Sequence, residues 1–317
     1  MGLRGLFPPT LTMGESRHNS NAVPTTMVGM GHDLVGVPTF WRVPSVDAEL
    51  PRRLADLSLA APRQLWVEGR LPGPDELLLA IVGSRAASIR ACAGISELAF
   101  GLAQAGFAVV SGGALGVDAA AHRGALAGRG ATFAVLGCGI DVTYPDRHAG
   151  LFREIAANGG LLSEYGPGVK PRPGQFPARN RLVAGLAQAV IVGECRSRSG
   201  ALITARIAAR LRRPLCAVPG SSGTDGLLAA GAAFPVSTSA DVSAVLAGMP
   251  AGTALAPGGS DGAALRRALG EEAVTADEIA ARLGRGLGDV LGMLSEGELD
   301  GWILRRSGGR FEVHRGH

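Results

Sequence analysis

From Asp75 onward the chain repeats one pattern: a short, almost uninterrupted apolar run, a Gly or Ser, then a helical stretch. The apolar runs are Leu77–Val82, Phe107–Val110, Thr132–Leu136, Gly160–Leu162, Ala189–Val192 and Pro214–Val218. Between them the spacing predicts helices over Ser88–Ala105, Asp118–Ala127, Arg147–Ala157, Ala178–Gln188 and Ser199–Leu211. A strand that is apolar on both faces must be covered on both faces, and alternation with helices supplies that cover. The pattern therefore predicts an α/β fold: a doubly wound, Rossmann-like, mostly parallel sheet, assigned to residues 62–247.

The flanks read differently. Residues 1–61 are rich in Pro, Gly, Thr, Ser and Met and are expected to be poorly ordered, with one short helix near Asp47–Leu59 and with Met13, Met27 and Met30 as alternative starts. Residues 248–262 are a linker by composition. Residues 263–317 predict a small module. It comprises a helix over Ala263–Leu269, a capping box Thr275-Ala-Asp-Glu278 opening a second helix, a third helix over Leu287–Leu299, and strands Trp302–Arg306 and Arg310–His314 around Ser307-Gly-Gly309. Three helices and a hairpin describe a C-terminal winged-helix domain.

Composition narrows the function classes. The four cysteines, Cys92, Cys138, Cys195 and Cys216, are widely spaced, which predicts neither a metal site nor a disulfide framework. No signal-peptide core and no apolar run of about 18 residues is present, so a cytoplasmic protein that does not enter the membrane is expected. Of 31 basic residues only Lys170 is lysine. Arginine suits planar, bidentate contact with phosphate.

Ligands of an open parallel sheet sit beyond the carboxyl ends of its strands. Five loops there are built of small residues: Gly83-Ser84-Arg85, Ser111-Gly-Gly-Ala-Leu-Gly116, Gly137-Cys-Gly139, Ser197-Arg-Ser-Gly200 and Pro219-Gly-Ser-Ser-Gly-Thr224. Small residues let backbone N–H groups approach an anion, and a following helix adds its positive end. Five such loops at one sheet edge favour a phosphate-rich ligand. None is a Walker-type P-loop, and none is a dinucleotide fingerprint with its downstream acid, so no cofactor is called for. Residues 165–213 add ten basic side chains against the single acid Glu194. Within them Gln175-Phe-Pro-Ala-Arg-Asn-Arg181 places Arg179 and Arg181 around Asn180, with Phe176 one turn earlier. An arginine cluster of this kind can hold a polyphosphate backbone while Phe176 stacks a base.

Asp118 and His122, four apart on one helix, could form an acid–base pair, but an Asp in a first helical turn is more simply explained by the helix dipole. The terminal module is acidic, at net −2 over residues 261–317 against +6 over the first 260. Its third helix carries Asp289, Glu296 and Glu298 and no basic residue, unlike a helix built to enter a DNA groove. The module is expected to contact protein or act as a lid, not to supply the DNA site.

Taken together, Ala80-Ile-Val-Gly-Ser-Arg85, Val109-Val-Ser-Gly-Gly-Ala-Leu-Gly-Val-Asp-Ala-Ala-Ala-His122, Ala134-Val-Leu-Gly-Cys-Gly-Ile-Asp-Val-Thr-Tyr-Pro145, Ser163-Glu164, Phe176-Pro-Ala-Arg-Asn-Arg181 and Ser199-Gly-Ala-Leu-Ile-Thr-Ala205 resemble the DNA-processing protein DprA (Smf) family over about residues 62–240. The resemblance implies a homodimeric single-stranded DNA-binding protein, not an enzyme, that protects incoming DNA and helps load the RecA recombinase in natural transformation. It assigns single-strand contacts to Ser84, Arg85, Ser111, Gly112, Gly113, Phe176, Arg179, Asn180 and Arg181. The helix-opening loop adds Ser199, Gly200 and Thr204. Neither a catalytic residue nor a metal is implied.

The chain departs from the family at Leu115, where many members carry arginine, and in residues 1–60, where the usual helical domain is not recognisable. The competing class is a nucleotide phosphoribohydrolase of the lysine-decarboxylase-like fold. Its glutamate motif has no counterpart in Pro219-Gly-Ser-Ser-Gly-Thr-Asp-Gly226. A duplex-reading regulator acting through the winged helix is disfavoured by that module's acidity.

Overall fold

The computed structural model describes residues 40–44, 51–248, 261–270 and 272–314. Its centre is a nine-stranded sheet in the order β1-β2-β6-β5-β4-β3-β7-β8-β9. The strands are β1 (Phe40–Pro44), β2 (Gln64–Gly69), β3 (Leu78–Val82), β4 (Ala108–Ser111), β5 (Thr132–Val135), β6 (Gly160–Ser163), β7 (Ala189–Val192), β8 (Leu215–Ala217) and β9 (Phe234–Pro235). From β6 through β9 every pairing is parallel, and β1 and β2 add antiparallel strands at one edge. Each of β3 to β8 is buried along its full length, as the continuous apolar runs require.

Seven helices cover the sheet: α1 (Ile89–Gln104), α2 (Val117–Ala127), α3 (Ala149–Asn158), α4 (Gln175–Leu186), α5 (Gly200–Arg210), α6 (Ser222–Ala229) and α7 (Ser239–Gly248). They leave one core on the α4 side of the sheet and two on the other, of which the second, with Ala134, Phe152 and Ile155, lies under α3. Leu79, Ile81, Val109 and Ile191 point to the side of α1 and α2. Ala80, Val110, Phe133 and Val190 point to the side of α4 and α5. The sheet order reverses at β3, which has β4 on one side and β7 on the other. That reversal opens a crevice at the carboxyl ends of these strands.

Two expectations for the start of the chain need correction. Residues 1–39 and 45–50 lie outside the described residues, but Phe40–Pro44 pairs along its whole length with β2. The 3₁₀ segment Arg52–Ala60 replaces the α-helix expected over Asp47–Leu59. Its Leu54 and Leu57, with Val43 of β1, are fully buried in the α4-side core. The apolar partner these residues find is distant in sequence, and no local periodicity announces it. Sequence reading also passed over α6 and α7, whose glycine and serine content hides a helical period.

The terminal module has α8 (Asp261–Leu269), β10 (Val274–Thr275), α9 (Ala276–Leu283), α10 (Leu287–Leu299), β11 (Ile303–Arg306) and β12 (Arg310–Val313), with its own core around Ile279, Val290, Leu294 and Ile303. The capping box forms as read: the Glu278 amide donates to Thr275 Oγ1 at 3.3 Å and the Thr275 amide to Glu278 Oε2 at 2.7 Å. The last expected strand residue, His314, falls just past β12. Residues 249–260, most of the expected linker, lie outside the described residues.

Helix α10 turns inward and packs on α4, α5 and the 3₁₀ segment. Its acids meet arginines of α5: Arg210 contacts Glu296 at 3.5 Å and Asp300 more closely still. The acidity of this helix therefore has a use inside the molecule. Buried Glu298 of α10 takes two hydrogen bonds from Arg305 of the hairpin, at 3.0 and 2.8 Å. Among the described residues no helix is long and apolar enough to cross a membrane, and no cluster of side chains suited to a metal ion occurs.

Candidate nucleic-acid interface

Three of the five small-residue loops converge on the crevice at the β3 reversal. They form a cleft of about 290 Å³, lined among others by Ser84, Arg85, Gly112, Phe176, Asn180 and Thr204. The first loop follows β3 and is fixed by the Ser84 amide, which donates to the Glu194 carbonyl at 2.8 Å. Ser84 Oγ accepts from the Ala86 amide at 3.1 Å, which leaves Arg85 at the turn. Arg85 reaches across the cleft, its guanidinium carbon 4.9 Å from the centroid of the Phe176 ring. Tyr144 lies on Phe176 as well, with ring centroids 5.3 Å apart.

The second loop is less open to an outside anion than its composition implies. Asp118, in the first turn of α2, accepts from the Gly112 amide at 3.2 Å and the Ala114 amide at 3.3 Å. The protein's own carboxylate thus fills part of the nest. Burial pushes the Asp118 pKa up, while Arg179 and Arg85 pull it back. Ser111 is not in the cleft: it is fully buried, and its hydroxyl donates to the Ile81 carbonyl at 2.6 Å. Nor is Gly113, whose left-handed φ of +68° turns the loop over Phe152 and whose carbonyl meets His148 Nδ1 at 3.0 Å. For these two the expectation of strand contact is corrected to that of holding the loop.

The two arginines of α4 part company. Two residues apart on an α-helix means about 200° around its axis. Arg179 faces the cleft but is itself buried, and its guanidinium donates to the Gly112 and Val135 carbonyls. Burial lowers its pKa to about 10, with Asp118 acting against the shift, so it remains a cation at neutral pH. A Cβ on Gly112 would displace this guanidinium. Arg181 faces away. It donates to the Ala60 carbonyl at 2.8 Å and the Ala178 carbonyl at 2.9 Å, and pairs with Glu164 at 2.5 Å. The expected phosphate contact by Arg181 is therefore corrected to a buried structural pair, which also holds the Glu164 pKa down against burial.

The fourth loop completes the cleft. Ser199 caps α5, its hydroxyl accepting from the Ala201 amide at 3.2 Å. Gly200 faces open space. Asn180 Nδ2 reaches the Gly200 carbonyl at 3.4 Å and ties α4 to this helix start. One turn further, the Thr204 hydroxyl is buried at the cleft wall and has no hydrogen-bond partner within the protein. Leaving a buried hydroxyl unpaired costs on the order of 1–3 kcal/mol, so this group is poised for a ligand atom.

The third loop contributes beside the cleft. Gly137, Leu115, Tyr144, Pro145 and Phe176 line an adjoining apolar recess. Leu115 lines this recess and not the cleft itself. The fifth loop does not join. It caps α6 through Ser221 and Thr224, whose hydroxyl oxygens are 2.7 Å apart, and with Ser84, Arg85 and Glu194 it lines a separate pocket.

Asp118 and His122 do not meet as an acid–base pair. His122 is fully buried, its Nδ1 is 2.7 Å from Thr132 Oγ1, and burial lowers its pKa to about 3. Sequence reading missed Thr132 as the partner of His122 and Tyr144 as that of Phe176. Pairing across separate strands and loops leaves no spacing signal.

A largely parallel sheet with a crevice at its switch point, lined by Arg85, the start of α5 and Thr204, defines a Rossmann-like protein, here joined to a winged helix. Known proteins of this build narrow it. The family model for DNA recombination-mediator protein A matches residues 42–247, and that for the DprA winged helix domain matches residues 249–309. The chain belongs to the DprA (Smf) family of DNA-processing proteins. The Smf protein of Escherichia coli is 35% identical over 271 residues, covering 80% of this chain and 72% of that protein. A putative DprA of Mycobacterium tuberculosis is 46% identical over 180 residues, covering 54% of this chain and 46% of that protein. The matched part thus spans about half the length of the latter relative.

Among solved structures, Streptococcus pneumoniae DprA superposes with a TM-score of 0.61 at 38% identity, covering 67% of this chain and 75% of that one. Helicobacter pylori DprA, whose structure is described for its single-stranded DNA binding mode, gives 0.58 at 31% identity, covering 66% and 95%.

Proposed function

We propose that this protein binds single-stranded DNA with little base preference at the switch-point cleft. In this reading it is no enzyme. It acts in the cytoplasm as a homodimer that protects incoming strands and helps load the RecA recombinase in natural transformation. The observation that carries the DNA reading is that Arg85 and Phe176 line one open cleft, with the unpartnered Thr204 hydroxyl buried in its wall. A cation, a stacking ring and a lone hydroxyl suit a nucleotide's phosphate, base and backbone oxygens. Phosphate contact supplies affinity without sequence information, while stacking accepts every base. The family relationship supports the same reading.

The test is a titration of single-stranded and duplex oligonucleotides at two salt concentrations. Tight binding of single strands is expected, with duplex much weaker. Arg85→Ala should weaken all single-strand sequences alike and flatten the log–log salt slope by about 0.7. Thr204→Val, nearly isosteric, should also weaken binding without loss of stability, because its hydroxyl has no partner to lose. Equal affinity of wild type and Arg85→Ala would remove the site assignment. Release of free base from nucleoside monophosphates, absent in a heat-killed control, would move the protein to the hydrolase class.

A further inference from the structure

We propose that the groove between the α/β domain and the winged helix is a second single-strand subsite, continuous with the switch-point cleft across the start of α4. This rests on the cleft being the single-strand site.

The groove is large, about 950 Å³. One wall is the loop between β6 and α4, with Lys170 and Arg172. The other is the tip of the β11–β12 hairpin, with Arg306, Gly308 and Gly309. Its floor includes Gln175 and Ala178 of α4. Those two residues immediately precede Phe176 and Arg179, which line the cleft. Neighbouring residues on a helix are about 100° apart, so the first turn of α4 has the cleft on one flank and the groove on the next. A strand leaving the Phe176 ring needs only to cross that turn, over the positive end of the helix.

Charge agrees with this path. Lys170 and Arg172 are exposed. Arg306 is half exposed and paired with Glu312, its Nε 2.9 Å from the carboxylate. Exposed pairs of this kind are worth about 0–1 kcal/mol, so Arg306 can turn to a phosphate at little cost. The acids at the groove are accounted for in part: Glu164 is held by Arg181, and Asp277 is the carboxylate opposing the three lip cations. Arg305 is spent on Glu298 and serves the wall, not the ligand. The hairpin tip is glycine, which lets a backbone approach closely. The groove width is thus set by two domains. Bases crossing it need no defined edge contacts, consistent with a strand and not a duplex.

The experiment measures fluorescence anisotropy of labelled oligothymidines of about six and about twenty-four nucleotides with the full chain. Variants are Lys170→Ala with Arg306→Ala, the control Arg267→Ala on the exposed side of α8 and outside the groove lining, and Arg85→Ala in the cleft. The groove variant should bind the long strand about tenfold more weakly and lose about 1.4 units of salt slope, two contacts at 0.7 each. It should bind the short strand within twofold of wild type, and Arg267→Ala should match wild type on both. Equal effects on both lengths, or none on either, would overturn the groove and hand it to a protein ligand. The same holds if Arg267→Ala proves as damaging as the groove variant. Wild type binding neither strand would overturn the cleft reading and the groove with it.

Discussion

The switch-point cleft and the winged helix use charge in opposite ways. In the cleft the one lining carboxylate, Asp118, stands against two arginines: Arg179 is also taken up by the Gly112 and Val135 carbonyls, while Arg85 lies over the Phe176 ring. In the winged helix the charges are consumed internally. Glu298 takes Arg305, Glu296 and Asp300 take Arg210, and α10, the helix that could enter a DNA groove, lies against α4 and α5. The difference teaches that a charge count locates binding only after intramolecular partners are subtracted. Arg179 and Arg181 make the same point within two residues.

The sharpest way to break this comparison is Arg181→Ala. Removing one member of a buried pair leaves the other uncompensated, at about 3–5 kcal/mol. Glu164 is only partly shielded from water, so about 3 kcal/mol is expected by chemical denaturation. The folded fraction should keep its single-strand affinity. A stable variant with lost affinity would show that Arg181 belongs to the cleft after all.

Next in size is Leu115→Arg. The side chain would enter the recess beside Tyr144 and Phe176, adding a charge-assisted contact for a strand. Repulsion from Arg85 and Arg179 limits the gain to about tenfold, or 1.4 kcal/mol, with a salt slope steeper by about 0.7. A lowered melting temperature at unchanged affinity would instead place Leu115 in the packing.

The smallest effect is expected from Glu296→Gln combined with Asp300→Asn, which removes the acids facing α5. Partly exposed pairs contribute about 0–1 kcal/mol each, so the thermal midpoint should move little and binding of short strands not at all. A large drop would mean that these pairs, and not the apolar face of α10, hold the module in place.

Much of this was legible in the chain. The apolar runs predict β3 to β8 to within a residue or two, because a doubly covered strand has no polar face to confuse the pattern. The loops at Ser84–Arg85, Gly112 and Ser199–Gly200 were readable because backbone approach demands small residues. Ser111, Gly113 and Arg181 were misplaced for a different reason. Composition shows which residues can meet a phosphate but not whether a carbonyl of β3, a turn or Glu164 has claimed them first. The helix period alone, applied to Arg179 and Arg181, separates the two. Strand β1 was illegible because its partner, β2, and the 3₁₀ segment that covers it lie in stretches too short to carry a period.

The order of strands has a consequence for how the protein comes into being. The cleft draws on the loop after β3 and on the start of α5, and β3 pairs with β7, more than a hundred positions later in the chain. No nascent fragment ending before α5 contains the whole site. Loop closure over such a span slows folding, and it also means that full binding competence waits until α5 has been made. A ribosome-bound chain stalled before Thr204 should be blind to single strands, and one released past the last sheet strand should not.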